Sequence, residues 1–495
     1  MLIQTSERRA LCMSPTDTVS DQKTRRVIWR YTILTHRYVG IAISLVILLW
    51  CLSGIIMMYV QYPAFDRAER LAGLSAIPID NIKLWQVEAS AREDYAGDFA
   101  VEATPTGAVL RLSYDGYGQQ TLDLITGRWQ SIWQMEALDT IGRSYAANRG
   151  WSAPSSNSTM ERDQWTVHSR FTEHRPMLKQ RNDDGVEWYL SSQTGEVVQT
   201  TTRSERVWNW LGSVIHWLYP TALRQHVTAW AQTVIWLTIF SLFLTITGVV
   251  IGIKQYRKRR NGRRSPYKAW ALWHHYAGLI FGVLTLTWLF SGLFSMNPWG
   301  ALESRSAYAE REILNGADMS VGEAVELLQA SAEFIPPDTV RIESAYWLGE
   351  TYLVAYDRDG NRFRFNHDGP ATGIAEQDLL AVQQQLGYGD ANVALLESGD
   401  EYYYSHHDQR EFPVYRLTYE NGERFYISAL SGTLLRFVDS NAQTYRWVFN
   451  ALHAGDFHAA ARSRPVWDLF MLSLLLGVTV GVGTGTWLGI KRILS

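Results

Sequence analysis

The chain has 495 residues, of which 46% are apolar and 19% are charged, and its 46 lysine and arginine residues nearly balance its 49 aspartate and glutamate residues. This balance excludes an overall basic surface of the kind that binds nucleic acid, so no nucleic-acid partner is expected. The two cysteines, Cys12 and Cys51, are too few for a thiolate metal cage or an iron–sulfur site.

Four uncharged stretches are long enough to cross a membrane as helices. A helix needs about 20 apolar residues to span a hydrocarbon core of about 30 Å. The stretches cover residues 38–60, 227–253, 276–299 and 469–490. We therefore predict four membrane spans, with membrane lipid as their partner.

Basic flanking residues predict the orientation of these spans. Residues 254–268 contain eight lysines and arginines and no acidic residue, and further basic residues precede the first span and close the chain. By the positive-inside rule, these three segments are cytoplasmic. We therefore predict a multi-pass protein with cytoplasmic N- and C-termini and two connections on the other side of the membrane, which is the periplasm in a Gram-negative host.

The predicted organisation follows in chain order. It comprises a cytoplasmic tail (1–37), a first span (38–60), a first extracytoplasmic domain (61–207) with its pre-span helix (208–226), a second span (227–253), a basic cytoplasmic loop with the start of the third span (254–275), the third span (276–299), a second extracytoplasmic domain (300–444) with its pre-span helix (445–468), the fourth span (469–490) and a cytoplasmic C-terminus (491–495). In the two domains, alternating stretches at 186–191 and 423–428 predict half-buried strands, and segments 320–332 and 375–387 have helical spacing. Both domains are therefore predicted to be α+β.

The sequence repeats itself at an offset of 237 or 238 residues. The matched elements include His36 with His274, Gly40 with Gly278, His216 with His453, and Thr247-Gly248 with Thr484-Gly485. The two domains match as well, at residues 185–195 and 422–432. The predicted fold class is an α-helical membrane protein, a four-span bundle of two pseudo-repeated halves, with two α+β extracytoplasmic domains.

Only two pairs among the 12 histidines recur in both halves. These pairs are His36 with His274 and His216 with His453. A pseudo-two-fold axis along the membrane normal would bring the members of each pair together, one pair near each membrane face. Two imidazoles that face each other between helices suit the axial ligation of b-type haem, so two haem b groups are predicted. Gly40 and Gly278 lie one turn beyond a histidine, where a missing side chain would admit a porphyrin.

The sequence is also compatible with other haem ligands and with chemistry other than haem binding. His226, His275 and His458 are alternative haem ligands because they lie close to the same membrane faces. Arg37, and at corresponding heights Arg224 and Arg462, are candidate contacts for haem propionates. A zinc or copper site and a proton relay are further possibilities. No catalytic acid–base residue is predicted, since outer-sphere electron transfer needs none.

Three short motifs are similar to those of a known family. The segments His36-Arg37-Tyr38-Val39-Gly40 with Ser53-Gly54, Ala451-Leu452-His453-Ala454-Gly455, and Thr247-Gly248 before the basic cluster 254–260 resemble the PepSY-associated transmembrane family. The resemblance extends over residues 28–492 and implies units of span, PepSY-like domain and span. The first half departs from the LHxG-type motif, since it reads Ile215-His216-Trp217-Leu218.

The resemblance implies a haem-dependent oxidoreductase of the bacterial inner (cytoplasmic) membrane that reduces ferric iron or a ferrisiderophore on the periplasmic side. The chain has no flavin or nicotinamide fingerprint, so a separate cytoplasmic protein or a quinol is the expected electron donor. One alternative is a non-redox, membrane-anchored PepSY module for peptidase inhibition or sensing. A siderophore or metal transporter is a third hypothesis, which is disfavoured because no charged residue recurs at mid-span.

Overall fold

The computed structural model describes residues 15–83, 86–114, 118–259, 262–316, 319–405, 410–458 and 463–495. The chain divides into two compact units. The helical unit comprises the chain up to Ile55 together with residues 232–296 and 464–495, and the sheet unit comprises residues 56–231 and 297–463.

Helices account for most of the helical unit and connect the sheets of the other unit. In the described residues, the α-helices are α1 (Pro15–Met57), α2 (Arg67–Gly73), α3 (Ala89–Arg92), α4 (Met135–Asn148), α5 (Arg203–Leu211), α6 (Ser213–His216), α7 (Thr221–Arg224), α8 (Val227–Gln255), α9 (Ala269–Ser295), α10 (Tyr308–Asn315), α11 (Val321–Ser331), α12 (Asp378–Leu386), α13 (Ser440–Tyr445), α14 (Leu452–Ala454) and α15 (Val466–Ile493). Helices α1, α8, α9 and α15 are long and apolar enough to cross a membrane. The part of the chain that the structure describes therefore has four candidate membrane-crossing helices, as expected of a membrane protein.

The first of these helices begins well before the apolar stretch that predicted it. The sequence predicts a span over residues 38–60, whereas α1 starts at Pro15 and ends at Met57. Residues 16–37 contain neither glycine nor proline, so nothing in them terminates a helix, and proline is well suited to a first helical position. Apolarity thus located the span, but it could not locate the start of the helix.

Glycines let the four long helices approach closely. A Cβ atom at Gly477 of α15 would lie 2.2 Å from a phenylalanine ring of α9, and one at Gly282 of α9 would lie 2.8 Å from a valine of α8. Helix α1 contacts α8 through His36 and α15 at Gly489. In lipid, helices associate largely through close packing, for which small residues are needed. The contacts close a ring in the order α1, α8, α9 and α15.

Among the described residues of the sheet unit, the strands form three antiparallel sheets. They are β1 (Asp98–Thr104), β2 (Gly107–Tyr114), β3 (Gly118–Asp123), β4 (Trp129–Gln130), β5 (Ser156–Met160), β6 (Met177–Arg181), β7 (Glu187–Ser191), β8 (Val197–Thr201), β9 (Arg341–Trp347), β10 (Glu350–Tyr356), β11 (Arg362–Asn366), β12 (Gly369–Pro370), β13 (Ala391–Leu396), β14 (Val414–Tyr419), β15 (Arg424–Ser428) and β16 (Leu434–Val438). Strands β5–β8 and β13–β16 form two four-stranded sheets, and the other eight strands form one sheet in the order β12-β11-β10-β9-β1-β2-β3-β4. The helices α11 and α12 lie where helical spacing predicts them.

The eight-stranded sheet joins the two connections that the sequence predicts as two domains. Strand β1 of the first connection pairs with β9 of the second, and Val101 stands opposite Ile342. Each of these strands would otherwise be the edge of a four-stranded sheet, with unpaired N–H and C=O groups. Pairing satisfies these groups, and both residues enter one apolar core together with Leu327 of α11.

Strand β7 is buried on both faces, although alternation in the sequence predicts a half-buried strand. Trp188 packs with Leu138 of α4 in one apolar cluster. Tyr189 faces the opposite way and packs with Trp165 and Phe171 in another. The residues that alternate with the apolar ones are thus covered by a second layer of chain, which strand periodicity alone does not reveal.

A buried ionic cluster lies where the two connections meet. Glu102 of β1 is 1% exposed and accepts hydrogen bonds from Arg111 of β2 and Arg341 of β9. Arg70 lies 3.6 Å from the same carboxylate. Burial raises the pKa of Glu102, but the charges of the three guanidinium groups outweigh it and hold the pKa below its ordinary value. The cluster therefore depends on an ionised carboxylate.

Candidate functional site

The structure brings the two recurring histidine pairs together. In the helical unit, the ring centres of His36 and His274, here named the first pair, lie 6.3 Å apart at an interplanar angle of 32°. In the sheet unit, the ring centres of His216 and His453, the second pair, lie 6.2 Å apart at 73°. All four side chains are half-buried. Each pair is thus formed by residues more than 230 positions apart in the chain.

Backbone carbonyls orient both imidazoles of the first pair. Nδ1–H of His36 donates to the carbonyl oxygen of Leu244 on α8 at 3.1 Å. Nδ1–H of His274 donates to the carbonyl oxygen of Gly481 on α15 at 2.9 Å. A neutral imidazole that donates through Nδ1 keeps its lone pair on Nε2, which is the state needed to bind a metal. Both rings are therefore held as metal ligands usually are.

The repeated Thr-Gly dipeptides, to which the sequence analysis assigned no role, shape the surroundings of both histidines of the first pair. The hydroxyl groups of Thr247 and Thr484 donate to the same two carbonyl oxygens, at 2.8 and 2.9 Å. A Cβ atom at Gly248 or Gly485 would lie 2.6 or 2.8 Å from Cε1 of the adjacent imidazole. Only glycine lets each ring lie against the helix beside it. Their recurrence in both halves was the sequence signal that could have identified them.

Gly485→Ala is expected to lower the unfolding temperature of the protein in detergent. The new methyl group would push His274 from its position, and overpacking of this kind typically costs about 1–3 kcal/mol. Gly483→Ala is the matched control on the same helix, because its Cβ would lie an ordinary 3.8 Å from Leu48. Equal unfolding temperatures for the two variants would contradict the steric role of Gly485.

Gly40 and Gly278, expected to adjoin a porphyrin, are not required by contacts within the described protein. A Cβ atom at Gly278 would have no described heavy atom within 4 Å, and one at Gly40 would make an ordinary contact of 3.5 Å with Leu244. The space beside Gly278 accommodates a neighbouring group. Their proximity to a cofactor stays a prediction.

The separation of the rings suits a metal ion shared by two imidazoles. Two metal–nitrogen bonds of roughly 2 Å, with each nitrogen roughly 1 Å from its ring centre, give a ring separation of about 6 Å. In the described part of the chain, no cluster of three or more His, Cys, Asp or Glu side chains could hold a metal ion. A metal bound by two histidines needs further ligands, and a porphyrin brings four nitrogens of its own.

Irregular helical segments position the second pair. His216 is the last residue of the short helix α6, and Trp217 follows it. His453 lies in α14, directly after a π-helical segment at Arg446–Ala451, and its ring stacks on Phe449 with the centres 5.1 Å apart. Such π-helical turns are rare and occur frequently at functional sites. Nothing in the sequence pattern predicts this turn.

The alternative ligands differ from the paired histidines in their surroundings. His275 is buried, accepts a hydrogen bond at Nδ1 from the hydroxyl of Ser265 at 2.8 Å, and donates from Nε2 to the carbonyl of Gly252 at 2.9 Å. Both of its nitrogens are therefore engaged within the protein. His226 and His458 are exposed.

The candidate propionate contacts also differ from one another. Arg37 is exposed, whereas Arg224 is buried. Arg462 lies outside the described residues.

Comparison with known proteins identifies a family. A family model described as the PepSY-associated TM region matches residues 33–492, which include α8, α9, both connections and most of α1 and α15. No curated protein matches the chain.

Proposed function

Because the chain belongs to the PepSY-associated TM family, we propose that it is a di-haem oxidoreductase of the inner membrane. In this proposal it passes electrons to ferric iron or a ferrisiderophore on the periplasmic side. The observation that carries the proposal is the presence of two histidine pairs with ring centres 6.3 and 6.2 Å apart. This arrangement favours a cofactor with its own equatorial ligands over a metal bound by protein side chains alone.

The residues of the chain would hold and tune the two haem groups. His36 and His274 would be the axial ligands of one, and His216 and His453 those of the other. Bound haem iron would supply reversible one-electron chemistry. The carbonyl groups that accept from His36 and His274 hold both rings in the Nδ1–H tautomer, and a hydrogen bond at that position increases the basicity of the ligand nitrogen.

The first pair lies near one end of the membrane-crossing bundle. His36 and His274 both occur close to the N-terminal ends of the apolar parts of α1 and α9. From His36, helix α1 continues for a further 21 residues to Met57, about 31 Å at 1.5 Å per residue. Under the positive-inside orientation, this end faces the cytoplasm, where a separate protein or a quinol would deliver electrons.

The test is a reduced-minus-oxidised visible spectrum of the purified full-length protein after saturation with haem. We expect a b-type spectrum and a stoichiometry of two haems per chain. Addition of ferric citrate or ferrisiderophores to the reduced protein under anaerobic conditions should then restore the oxidised spectrum, and the rates would rank the acceptors. A saturated preparation without a b-type signal would refute the oxidoreductase and leave the non-redox PepSY module.

A further inference from the structure

One arginine near the second pair is buried without hydrogen-bond partners for two of its donor groups. Arg224, the last residue of α7, is 6% exposed. Its Nε and Nη1 atoms have no hydrogen-bond partner within the described residues. No described carboxylate lies within ion-pair distance of it. Burial of a charged group is costly unless the group is paired, so these donors indicate a binding partner beyond the described residues.

Aromatic rings hold this guanidinium group in place. Its central carbon lies 5.0 Å from the ring centre of Tyr219 and 4.6 Å from that of Trp230. Trp230 in turn donates a hydrogen bond of 2.9 Å to the carbonyl oxygen of Trp217, the residue that follows His216. Cation–π contacts stabilise the charge but leave the N–H groups at the edge of the guanidinium plane unused. Arg224 is therefore held close to His216, and its Nε and Nη1 groups are available to donate hydrogen bonds.

Two further basic residues are exposed to solvent and lie close either to Arg224 or to the Tyr219 ring that Arg224 contacts. They are His168 and Arg170, at the start of the 3₁₀ segment Ser169–His174. Burial lowers the pKa of His168, and the positive charges of Arg224 and Arg170 lower it further. No ion pair links Arg170 to a carboxylate in the part of the chain that the structure describes. The cationic cluster thus runs from a buried guanidinium group to the protein surface.

We infer that Arg224, flanked by Arg170 and His168, binds a carboxylate of a ligand held next to the second histidine pair. A guanidinium group is suited to this because its planar N–H groups match the two oxygens of a carboxylate. The identity of the ligand rests on the proposed function, under which two sources of the carboxylate exist. One is a propionate of the haem bound by His216 and His453, and the other is a carboxylate of an anionic ferric chelate.

Three variants of the full-length protein test this site. Arg224→Gln removes the charge, and Arg224→Lys keeps the charge without the paired donors. Arg128→Gln is the matched control, since it removes a charge from the same unit at a side chain that is 77% exposed. If a propionate is the ligand, Arg224→Gln should lower one of the two midpoint potentials in the absence of acceptor, because loss of a cation disfavours reduction. If the acceptor is the ligand, Arg224→Gln should leave both midpoint potentials unchanged. Its KM for ferric citrate should rise about tenfold, whereas its KM for an uncharged ferric chelate should not change.

A measurement without haem separates this inference from the proposed function. Citrate should raise the unfolding temperature of the haem-free full-length protein and should do so less for Arg224→Gln, with Arg224→Lys intermediate. A protein that binds no haem but shows this citrate effect would refute the oxidoreductase and retain the carboxylate site. If Arg224→Gln matched Arg128→Gln in potentials, KM and citrate response, the carboxylate site would be refuted. Should Arg224→Gln not fold, the same comparison is made with Arg224→Lys.

Discussion

His274→Ala is expected to halve the haem content of the purified protein and to leave the haem of the second pair in place. The two histidines of the first pair approach from different helices, α1 and α9, so removal of one leaves the other without an axial partner. Haem content by extraction and the low-spin signal of each haem are the measurements. His453→Ala should give the complementary result, with loss of the second haem and retention of the first.

The neighbouring residue provides the control for this experiment. His275 is adjacent to His274 in sequence and has the same side chain, but both of its ring nitrogens form hydrogen bonds within the protein. His275→Ala is therefore expected to reduce stability and to retain both haems. Full haem content in both His274→Ala and His453→Ala would refute the assignment of ligands. Loss of haem in His275→Ala at unchanged stability would point to His275 as a ligand in place of His274.

Glu102→Gln should destabilise the sheet unit by about 3–5 kcal/mol, the range observed when one partner of a buried ion pair is removed. The substitution preserves shape but removes the negative charge that Arg111, Arg341 and Arg70 share. Among the described residues, Arg70 and Arg111 then keep only Glu196 as an ion-pair partner, and Arg341 keeps Glu343. Because Arg341 belongs to the second connection, the change also weakens the junction of β1 with β9. Denaturant unfolding of the full-length protein in detergent, followed by tryptophan fluorescence, measures the loss.

The pH dependence of unfolding tests the same carboxylate independently. The pKa of Glu102 is lower in the folded state than its ordinary value of 4.5, so its contribution is complete above that value and is lost as the pH falls further. The wild-type protein should therefore lose stability on acidification more steeply than Glu102→Gln. Glu88→Gln is the matched control, because Glu88 pairs with Arg128 at the surface and should contribute no more than about 1 kcal/mol. Equal losses for the two variants would contradict the buried cluster.

The repeat in the sequence was sufficient to select the four histidines that the structure pairs. A histidine that occurs at the same position in both halves is distinguished from those that occur in only one half. Related halves also tend to place equivalent residues symmetrically. The four spans could likewise be predicted, because a segment that crosses the hydrocarbon core must be long and apolar, and both properties can be read from the sequence. The family could be identified because its motifs are short segments of sequence at fixed spacing.

Other features depended on which distant segments meet. The pairing of β1 with β9 involves strands some 240 residues apart, and the local sequence of neither strand identifies the other as its partner. The different surroundings of His274 and His275, adjacent in sequence, arise because one ring faces α15 and the other faces α8. The buried donors of Arg224 are likewise visible only once the rings around them are placed. Composition and repetition along the chain determined the spans, the family and the paired histidines. Hydrogen bonds and burial require the positions of atoms in space, so only the tertiary structure decided the shared sheet, the orientation of the imidazoles and the cationic cluster.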